Sequence, residues 1–189
     1  MIELRLGPGA DLLRPWRPAD RDGLAAQANH RSVWRNMTDH FPHPYTLRDA
    51  AEWIGRVGGR LPPEHFAVVV AGEVAGGAGV VPISQYGGRA AEVGYWLGPD
   101  HRGRGLASAV VETLVPYAFG VLGMQRVQAG VFGWNAASAR VLEKNGFVLE
   151  GRLREAVSKD GETTDLLLYG LVAGDYGSRH VSQHPKAEG

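Results

Sequence analysis

Two different hydrophobic periods run along this chain and predict its secondary structure. Between residues 65 and 98, three apolar runs are each bounded by Gly, Pro or polar residues, which is typical of an antiparallel meander of strands. Residues 104–115 instead repeat apolar or small side chains at the i, i+3, i+4, i+7, i+8 spacing of an amphipathic helix: Leu106, Ala109, Val110, Thr113 and Leu114. Pro116 should kink or interrupt this helix, because it has no amide hydrogen for the carbonyl four residues earlier.

Turn-forming residues divide the remaining chain into short elements. Thr46 and Asp49, three residues apart, resemble a capping box at the start of a helix over 47–58. Further predicted helices cover residues 20–29, 30–37 and 135–146, and further predicted strands cover 2–6, 11–15, 124–132, 147–157 and 163–172. Polar residues without periodicity end the chain. We therefore expect one domain over residues 1–175 and a polar, flexible tail over residues 176–189.

The bulk composition excludes several classes of function. Lys plus Arg and Asp plus Glu both number 20, so a general nucleic-acid binder, which needs a basic excess, is not expected. Cysteine is absent, which excludes disulfide frameworks, thiolate zinc sites and a cysteine nucleophile. The charged N-terminus lacks the apolar core of a signal peptide, and no run of about 18 apolar residues occurs. We expect a cytoplasmic protein without a membrane partner.

The loop before the amphipathic helix has the composition of an anion site. Two arginines and two glycines occupy it: Arg102, Gly103, Arg104 and Gly105. Glycines let a ligand approach the backbone closely, and the first amides of a helix lack internal partners and favour an anion. The loop lacks the Gly-Lys-Ser/Thr end of a Walker loop, and Ser108 stands where the dinucleotide fingerprint needs Gly or Ala. A cradle for phosphate and a purely structural turn both fit these residues.

Three motifs occur in order along the chain: "EVGYWLGPDHRGRGLA", "NAASARVLEKNGF" and "EGRLRE" before a last strand. Together they resemble the RimJ/RimL branch of the GNAT acetyltransferases, over about residues 11–172. The resemblance implies an α+β fold, with a mixed, mostly antiparallel sheet of six or seven strands flanked by about four helices. It also implies acetyl-CoA as co-substrate, no metal, and the N-terminal amine of a ribosomal or other protein, or another primary amine, as acceptor.

The same resemblance implies which residues hold the cofactor. The loop and the start of its helix would bind the pyrophosphate, the backbone of the preceding strand would bind the pantetheine arm, and an asparagine would reach that arm. The implied cofactor-binding residues are Trp96, Leu97, Arg102, Gly103, Arg104, Gly105, Leu106, Ala107, Ser108 and Asn135. Asn135 also fits a plain N-cap, a role that asparagine fills well.

Two residues are candidates for the catalytic proton chemistry. Strand alternation puts Glu92 on the opposite face from Tyr95, and the resemblance implies that a glutamate here relays the amine proton through water. A glutamate at a sheet edge or in a salt bridge is the alternative. The resemblance also implies that Ser138 donates a hydrogen bond to the departing thiolate, because Leu142 stands where many relatives have a tyrosine. Tyr169 is a more distant candidate for that acid.

The acceptor side is less defined by sequence. The resemblance implies that the first helical hairpin lines the acceptor pocket, with Trp34, Phe41 and Tyr45 as candidates, although each also fits hairpin packing. An α-amine, with a pKa near 7.7 to 8.0, is deprotonated more easily near neutral pH than a lysine amine near 10.4. A protein N-terminus is therefore the first hypothesis. A polyamine or aminoglycoside, and a non-catalytic acyl-CoA-binding module, are the alternatives. Dimers are common in the resembled branch, so a homodimer is one further expectation.

Overall fold

Eight strands form one mixed sheet in the computed structural model, which describes residues 2–83 and 88–181. The strands are β1 (Leu4–Arg5), β2 (Leu12–Pro15), β3 (His65–Val70), β4 (Glu73–Ile83), β5 (Ala90–Leu97), β6 (Arg126–Phe132), β7 (Val148–Lys159) and β8 (Glu162–Val172). Their order across the sheet is β1-β2-β3-β4-β5-β6-β8-β7. Only β5 and β6 pair in parallel within this sheet.

Helices cover both faces of this sheet. The helices are α1 (Arg21–Ala28), α2 (Arg31–Trp34), α3 (Leu47–Val57), α4 (Leu106–Gly120), α5 (Ala136–Lys144) and α6 (Ala173–Val181). Alternation along β3 divides the core: Phe66 and Val68 pack in the same cluster as α4, whereas Ala67 and Val69 pack in the cluster that contains α1 and α3. The meander is therefore buried on both sides.

Local sequence explains where two helices begin. Thr46 and Asp49 form the expected capping box of α3, because the Asp49 amide donates to the Thr46 hydroxyl and the Thr46 amide donates to the Asp49 carboxylate. Helix α4 begins after Gly105, whose φ of +78° lies in the left-handed region that favours glycine. Of the expected kink or interruption at Pro116, the interruption is wrong, since α4 continues through Pro116 to Gly120.

The predicted fold class is confirmed, with small differences in number. The described ranges contain one strand more than the expected maximum of seven and six helices rather than about four. Helix α6 accounts for part of this difference, because it runs through residues 176–181, which we expected to lie in the tail. Residues 182–189 lie outside the described residues, so the domain boundary at 175 stays a prediction. No helix of the described ranges is long and apolar enough to cross a bilayer.

A gap opens in the sheet between β5 and β6. The two strands pair only from Ala90 with Arg126 to Glu92 with Gln128, although β5 continues to Leu97 and β6 to Phe132. Beyond Glu92 the strands therefore diverge, and backbone groups on their facing edges have no ladder partner. This gap lies between the loop that precedes α4 and the start of α5, and it positions the candidate site.

Candidate active site

The loop before α4 has the backbone geometry of an anion cradle. Gly103 and Gly105 both have positive φ, +76° and +78°, and a Cβ added at either glycine would meet no atom within 4 Å. The loop is therefore open to solvent on the side where these glycines lie. The amides that follow Gly105 form the first turn of α4, where backbone N–H groups lack intrahelical partners and the helix dipole is positive.

The two arginines of this loop have different roles in the structure. Arg102 folds back on the protein: its Nε donates to the Leu97 carbonyl at 3.0 Å, and its Nη1 donates to the Ser32 hydroxyl at 3.2 Å. Arg104 is exposed and makes no ion pair within the described residues. Arg102 therefore braces the loop against β5, whereas Arg104 keeps its charge available to an anion.

The backbone N–H and C=O groups of alternate β5 residues point toward the gap, and those of the residues between them point toward β4. The Gly98 amide donates to the Ala75 carbonyl in β4 at 2.9 Å, and hydrogen-bonded pairs alternate along an antiparallel ladder. By this alternation the Trp96 backbone points at β4, whereas the Leu97 backbone faces the gap, where Arg102 contacts its carbonyl. The expected backbone contact to pantetheine therefore fits the position of Leu97 and does not fit that of Trp96.

The start of α5 brings the predicted Asn135 and Ser138 together with a residue that we did not predict. Asn135 caps the helix, since its Oδ1 accepts from the Ser138 amide at 3.2 Å. The Ser138 Oγ lies 2.9 Å from the Tyr95 hydroxyl, so this contact joins β5 to α5. No sequence signal joins these two side chains, because they are 43 residues apart and their contact depends on the packing of α5 against the sheet.

Neither Tyr169 nor Leu142 can supply the acid in this structure. Tyr169 is buried, and its hydroxyl donates to Glu143 Oε1 on α5 at 2.8 Å. Burial and the neighbouring Glu143 carboxylate raise the pKa of Tyr169 to about 12. Leu142 is fully buried in the core and offers no proton. Of Ser138, Leu142 and Tyr169, Ser138 is therefore the one whose hydroxyl lies at the start of α5 beside the gap.

Glu92 faces a cavity on the opposite side of the sheet from Tyr95. The cavity has a volume of about 620 Å³ and lies over β6, β7 and β8. Its lining includes Thr38, Asp39, Glu92, Arg126, Gln128, Phe132, Glu150, Ser158, Lys159 and Tyr169. Glu92 lies at the last β5–β6 pair, so it stands where the cavity meets the gap.

Two of the three carboxylates in this cavity are neutralised. Glu150 forms an ion pair with Arg126, which lowers the pKa of Glu150. Asp39 forms an ion pair with the buried Lys159 at 2.9 Å. Glu92 makes no ion pair within the described part of the chain. The cavity therefore has one carboxylate, beside the gap, whose charge no described cation balances.

A group of ion pairs bridges the cavity wall, and we call it the clasp. It joins the segment around α2 to the β7–β8 hairpin through three pairs: Arg31–Asp160, Arg35–Glu162 and Asp39–Lys159. Two cation–π contacts reinforce it, with Lys159 Nζ 4.5 Å from the centroid of Trp34 and Arg35 4.6 Å from that of Trp134. The clasp connects parts of the chain that flank the gap on opposite sides.

None of the predicted acceptor residues Trp34, Phe41 and Tyr45 lines this cavity. Trp34 lies under Lys159 and stacks on His43 at a centroid distance of 5.4 Å. Phe41 packs on Tyr45 at 4.8 Å and on Trp96 at 5.9 Å. Tyr45 is buried in the cluster of α1 and α3. Of the three side chains, that of Trp34 contacts a lining residue, Lys159, whereas Thr38 and Asp39 of the neighbouring segment line the cavity themselves.

Comparison with known proteins identifies the family. The protein family described as "Acetyltransferase (GNAT) domain" matches residues 12–148, which are most of the chain. The chain belongs to the GNAT acetyltransferases. The uncharacterized N-acetyltransferase p20 of Bacillus licheniformis is 34% identical over 167 residues, which are 87% of this chain and 93% of that protein.

Two further GNAT relatives differ in the acceptor that their names state. The ribosomal-protein-serine acetyltransferase of Escherichia coli (strain K12) is 31% identical over 84 residues, which are 44% of this chain and 47% of that protein. The structure of spermidine N-acetyltransferase from Vibrio cholerae in complex with CoA and spermine has a TM-score of 0.75 at 23% identity, and the match covers 88% of this chain and 97% of that one. These findings confirm the GNAT fold, the RimJ/RimL-like resemblance and an acetyl-CoA-dependent N-acetyltransferase.

The residues of this GNAT acetyltransferase fit coenzyme A. The two open glycines leave room for a pyrophosphate against the first amides of α4, and Arg104 adds a positive charge. The gap between β5 and β6 offers backbone groups to an extended arm. No group of three or more His, Asp or Glu side chains placed to hold a metal ion occurs within residues 2–83 and 88–181.

Proposed function

We propose that this N-acetyltransferase acetylates the α-amine of a protein N-terminus by direct attack in a ternary complex. The observation that carries the proposal is the position of Glu92. Its carboxylate lies where the cavity meets the gap and lacks a described cationic partner. For a single ammonium group that enters through the cavity, Glu92 would serve both as the counter-ion and as the general base.

The charge of the cavity favours a monocationic acceptor over a polyamine. A polyamine carries several ammonium groups, and each needs a carboxylate when it leaves water. Asp39 and Glu150 are already paired with Lys159 and Arg126, so one carboxylate is left for one amine. The pKa of the acceptor points the same way, because deprotonating a lysine-like amine near neutral pH costs about 4 kcal/mol and an α-amine costs well under about 1 kcal/mol.

Each residue has a defined task in the proposed reaction. Acetyl-CoA supplies an activated acetyl thioester, and the amides of Leu106, Ala107 and Ser108 would hold its pyrophosphate. Glu92 accepts the proton of the amine, directly or through water, as the nitrogen attacks the thioester carbonyl carbon. The C–S bond then breaks, and its electron pair leaves with sulfur. The Ser138 hydroxyl donates a hydrogen bond to that sulfur and so stabilises its negative charge.

Three acceptors of matched concentration test this proposal. The first is an eight-residue peptide with a free α-amine and no lysine, the second is the same peptide with a blocked α-amine and one lysine, and the third is spermidine. Mass spectrometry after incubation with labelled acetyl-CoA should show acetylation of the first peptide at a rate at least about tenfold above the others, in line with the pKa difference. Faster transfer to spermidine or to the lysine would overturn the proposal.

A variant of the proposed base checks that the measured transfer comes from this site. Glu92→Gln keeps the size of the side chain but cannot accept a proton, so transfer to the first peptide should fall by about 100-fold. Glu73→Gln is the matched control, because Glu73 is an exposed glutamate at the start of β4, outside the cavity lining. Transfer that survives in Glu92→Gln at the level of the control would remove Glu92 from the mechanism.

A further inference from the structure

The hydrogen bond between Tyr95 and Ser138 crosses the sheet gap at its open end. Tyr95 lies three residues beyond Glu92, the last residue of β5 that pairs with β6. The Tyr95 side chain leaves the opposite face of β5 from Glu92 and reaches the first turn of α5. The phenol therefore connects the two elements that flank the gap, on the side where Ser138 stands.

The Tyr95 and Ser138 hydroxyls share a hydrogen bond in which either oxygen can donate, and the distances around it favour one direction. The Tyr95 hydroxyl has one hydrogen and two acceptors on the same residue, Ser138 Oγ at 2.9 Å and the Ser138 carbonyl oxygen at 3.3 Å. The shorter distance favours donation to Oγ. A serine hydroxyl that accepts this bond keeps its own hydrogen for a third group, because it has one donor and two acceptor positions.

Two further observations hold the pair in this arrangement. The Ser138 amide donates to Asn135 Oδ1, so the cap of α5 fixes the backbone from which the hydroxyl projects. Burial raises the pKa of Tyr95 to about 12, so the phenol stays protonated and remains a donor throughout the neutral range. Neither group needs to ionise for the arrangement to persist.

We propose that Tyr95 is a positioning residue that donates its hydroxyl hydrogen to Ser138 Oγ and thereby turns the Ser138 hydrogen toward the sulfur of coenzyme A. The inference rests on the proposed function for the role of Ser138 and adds the residue that orients it. No proton needs to leave Tyr95. When the C–S bond breaks, the sulfur carries the electron pair, and the oriented Ser138 hydroxyl solvates the thiolate.

The pKa of the bound coenzyme A thiol measures this arrangement without any acceptor amine. A hydrogen bond to the thiolate favours the charged form and lowers the thiol pKa below the value of about 8.5 for a model thiol. The ultraviolet absorbance of the thiolate reports the titration of coenzyme A bound to saturating protein. The titration compares the wild type with Tyr95→Phe, Ser138→Ala and the double variant. Tyr117→Phe is the control, because it removes another buried phenol, that of Tyr117 on α4, whose hydroxyl donates to the Pro63 carbonyl at 2.8 Å.

The expected result is a bound thiol pKa below that of free coenzyme A in the wild type and in Tyr117→Phe. In Tyr95→Phe the thiolate fraction at a given pH should fall about tenfold, which is about one pKa unit. The double variant should match Ser138→Ala, because the two residues act on the sulfur through one hydroxyl. Affinity measured near pH 6, where the thiol is neutral, should change less than about threefold in all variants, which shows that the site is intact.

Two outcomes would overturn the inference in different ways. If Ser138→Ala raises the thiol pKa but Tyr95→Phe leaves it at the wild-type value, Tyr95 does not orient the serine and the proposed role of Ser138 stands. If neither variant changes the thiol pKa, both roles are removed. Because the titration uses coenzyme A alone, failure to acetylate an α-amine has no bearing on either result.

Discussion

We call the elements proposed to hold coenzyme A the cofactor side and the elements proposed to receive the amine the acceptor side, and the two are built in different ways. The cofactor side consists of the loop 102–105 and the first turns of α4 and α5, and its groups are backbone amides, two glycines and a capping asparagine. The acceptor side depends on the clasp, whose three ion pairs join residues more than a hundred positions apart. Short sequence segments form the cofactor side, whereas distant parts of the chain must come together to form the acceptor side.

This difference predicts that single substitutions act unequally on the two sides. A change of one glycine in this loop imposes a side chain on a positive-φ conformation that other residues adopt only with strain. Removal of one charge from Arg31–Asp160 or Arg35–Glu162 breaks one partly exposed ion pair of the clasp, and such a pair contributes about 0.2–1 kcal/mol. We therefore expect large effects on the cofactor side and graded effects on the acceptor side.

Gly105→Glu should have the largest effect of all. The new side chain would project from a residue with φ of +78° into open space beside the first amides of α4, and its carboxylate would repel the pyrophosphate. Calorimetry should show that affinity for coenzyme A falls by at least about 100-fold, from charge and backbone strain together. Gly123→Glu controls for the strain, since Gly123 also has positive φ and open space but lies after α4. Unchanged affinity in Gly105→Glu would refute the cradle.

Glu92→Gln tests the residue at which the two sides meet. Turnover with a free-amine peptide should fall by about 100-fold, a typical loss for a general base. Affinity for coenzyme A should stay within about twofold of the wild-type value, because Glu92 faces the cavity rather than the loop. A parallel loss of affinity would mean that Glu92 belongs to the cofactor side, contrary to its position in the structure.

Ser138→Ala should have an intermediate effect on turnover. Loss of one hydrogen bond to a developing charge costs about 1.5–3 kcal/mol, so kcat should fall by roughly 10- to 100-fold. The KM for acetyl-CoA should stay similar, since the substitution removes a group that acts on the departing sulfur. Ser108→Ala offers a comparison on α4, where the hydroxyl accepts from Asn145 Nδ2 at 3.1 Å. Equal turnover in wild type and Ser138→Ala would show that Ser138 does not stabilise the departing thiolate.

Opening the clasp should give the smallest effect. The double variant Asp160→Asn, Glu162→Gln removes the partners of Arg31 and Arg35. The KM for the peptide acceptor should rise by about threefold, as expected for the loss of exposed ion pairs, while affinity for coenzyme A is unchanged. Glu52→Gln is the control, because it breaks an exposed ion pair with Arg48 on α3, away from the cavity. An effect on coenzyme A affinity instead would contradict the separation of the two sides.

The same contrast explains what the sequence could predict. Glycines before an amphipathic helix, an asparagine before the next helix and alternation along β5 follow local rules, so the loop, Asn135 and the opposite faces of Glu92 and Tyr95 were predictable. The direction of the Trp96 backbone depends on the register with β4, which no local pattern defines. The Tyr95–Ser138 contact and the clasp depend on tertiary packing, so they emerged only from the structure.

The short pairing of β5 with β6 has a consequence for stability. Strands β1–β5 and strands β6–β8 are joined through only three residue pairs within the sheet, so much of the boundary between them is the gap itself. A ligand seated in that gap contacts both halves and acts as a removable cross-link between them. Because it binds the folded state alone, it adds about 2.7 kcal/mol of stability at a concentration 100 times its Kd. Coenzyme A bound in the proposed site would therefore add to the packing of α4 and the shared core, which also join the two half-sheets.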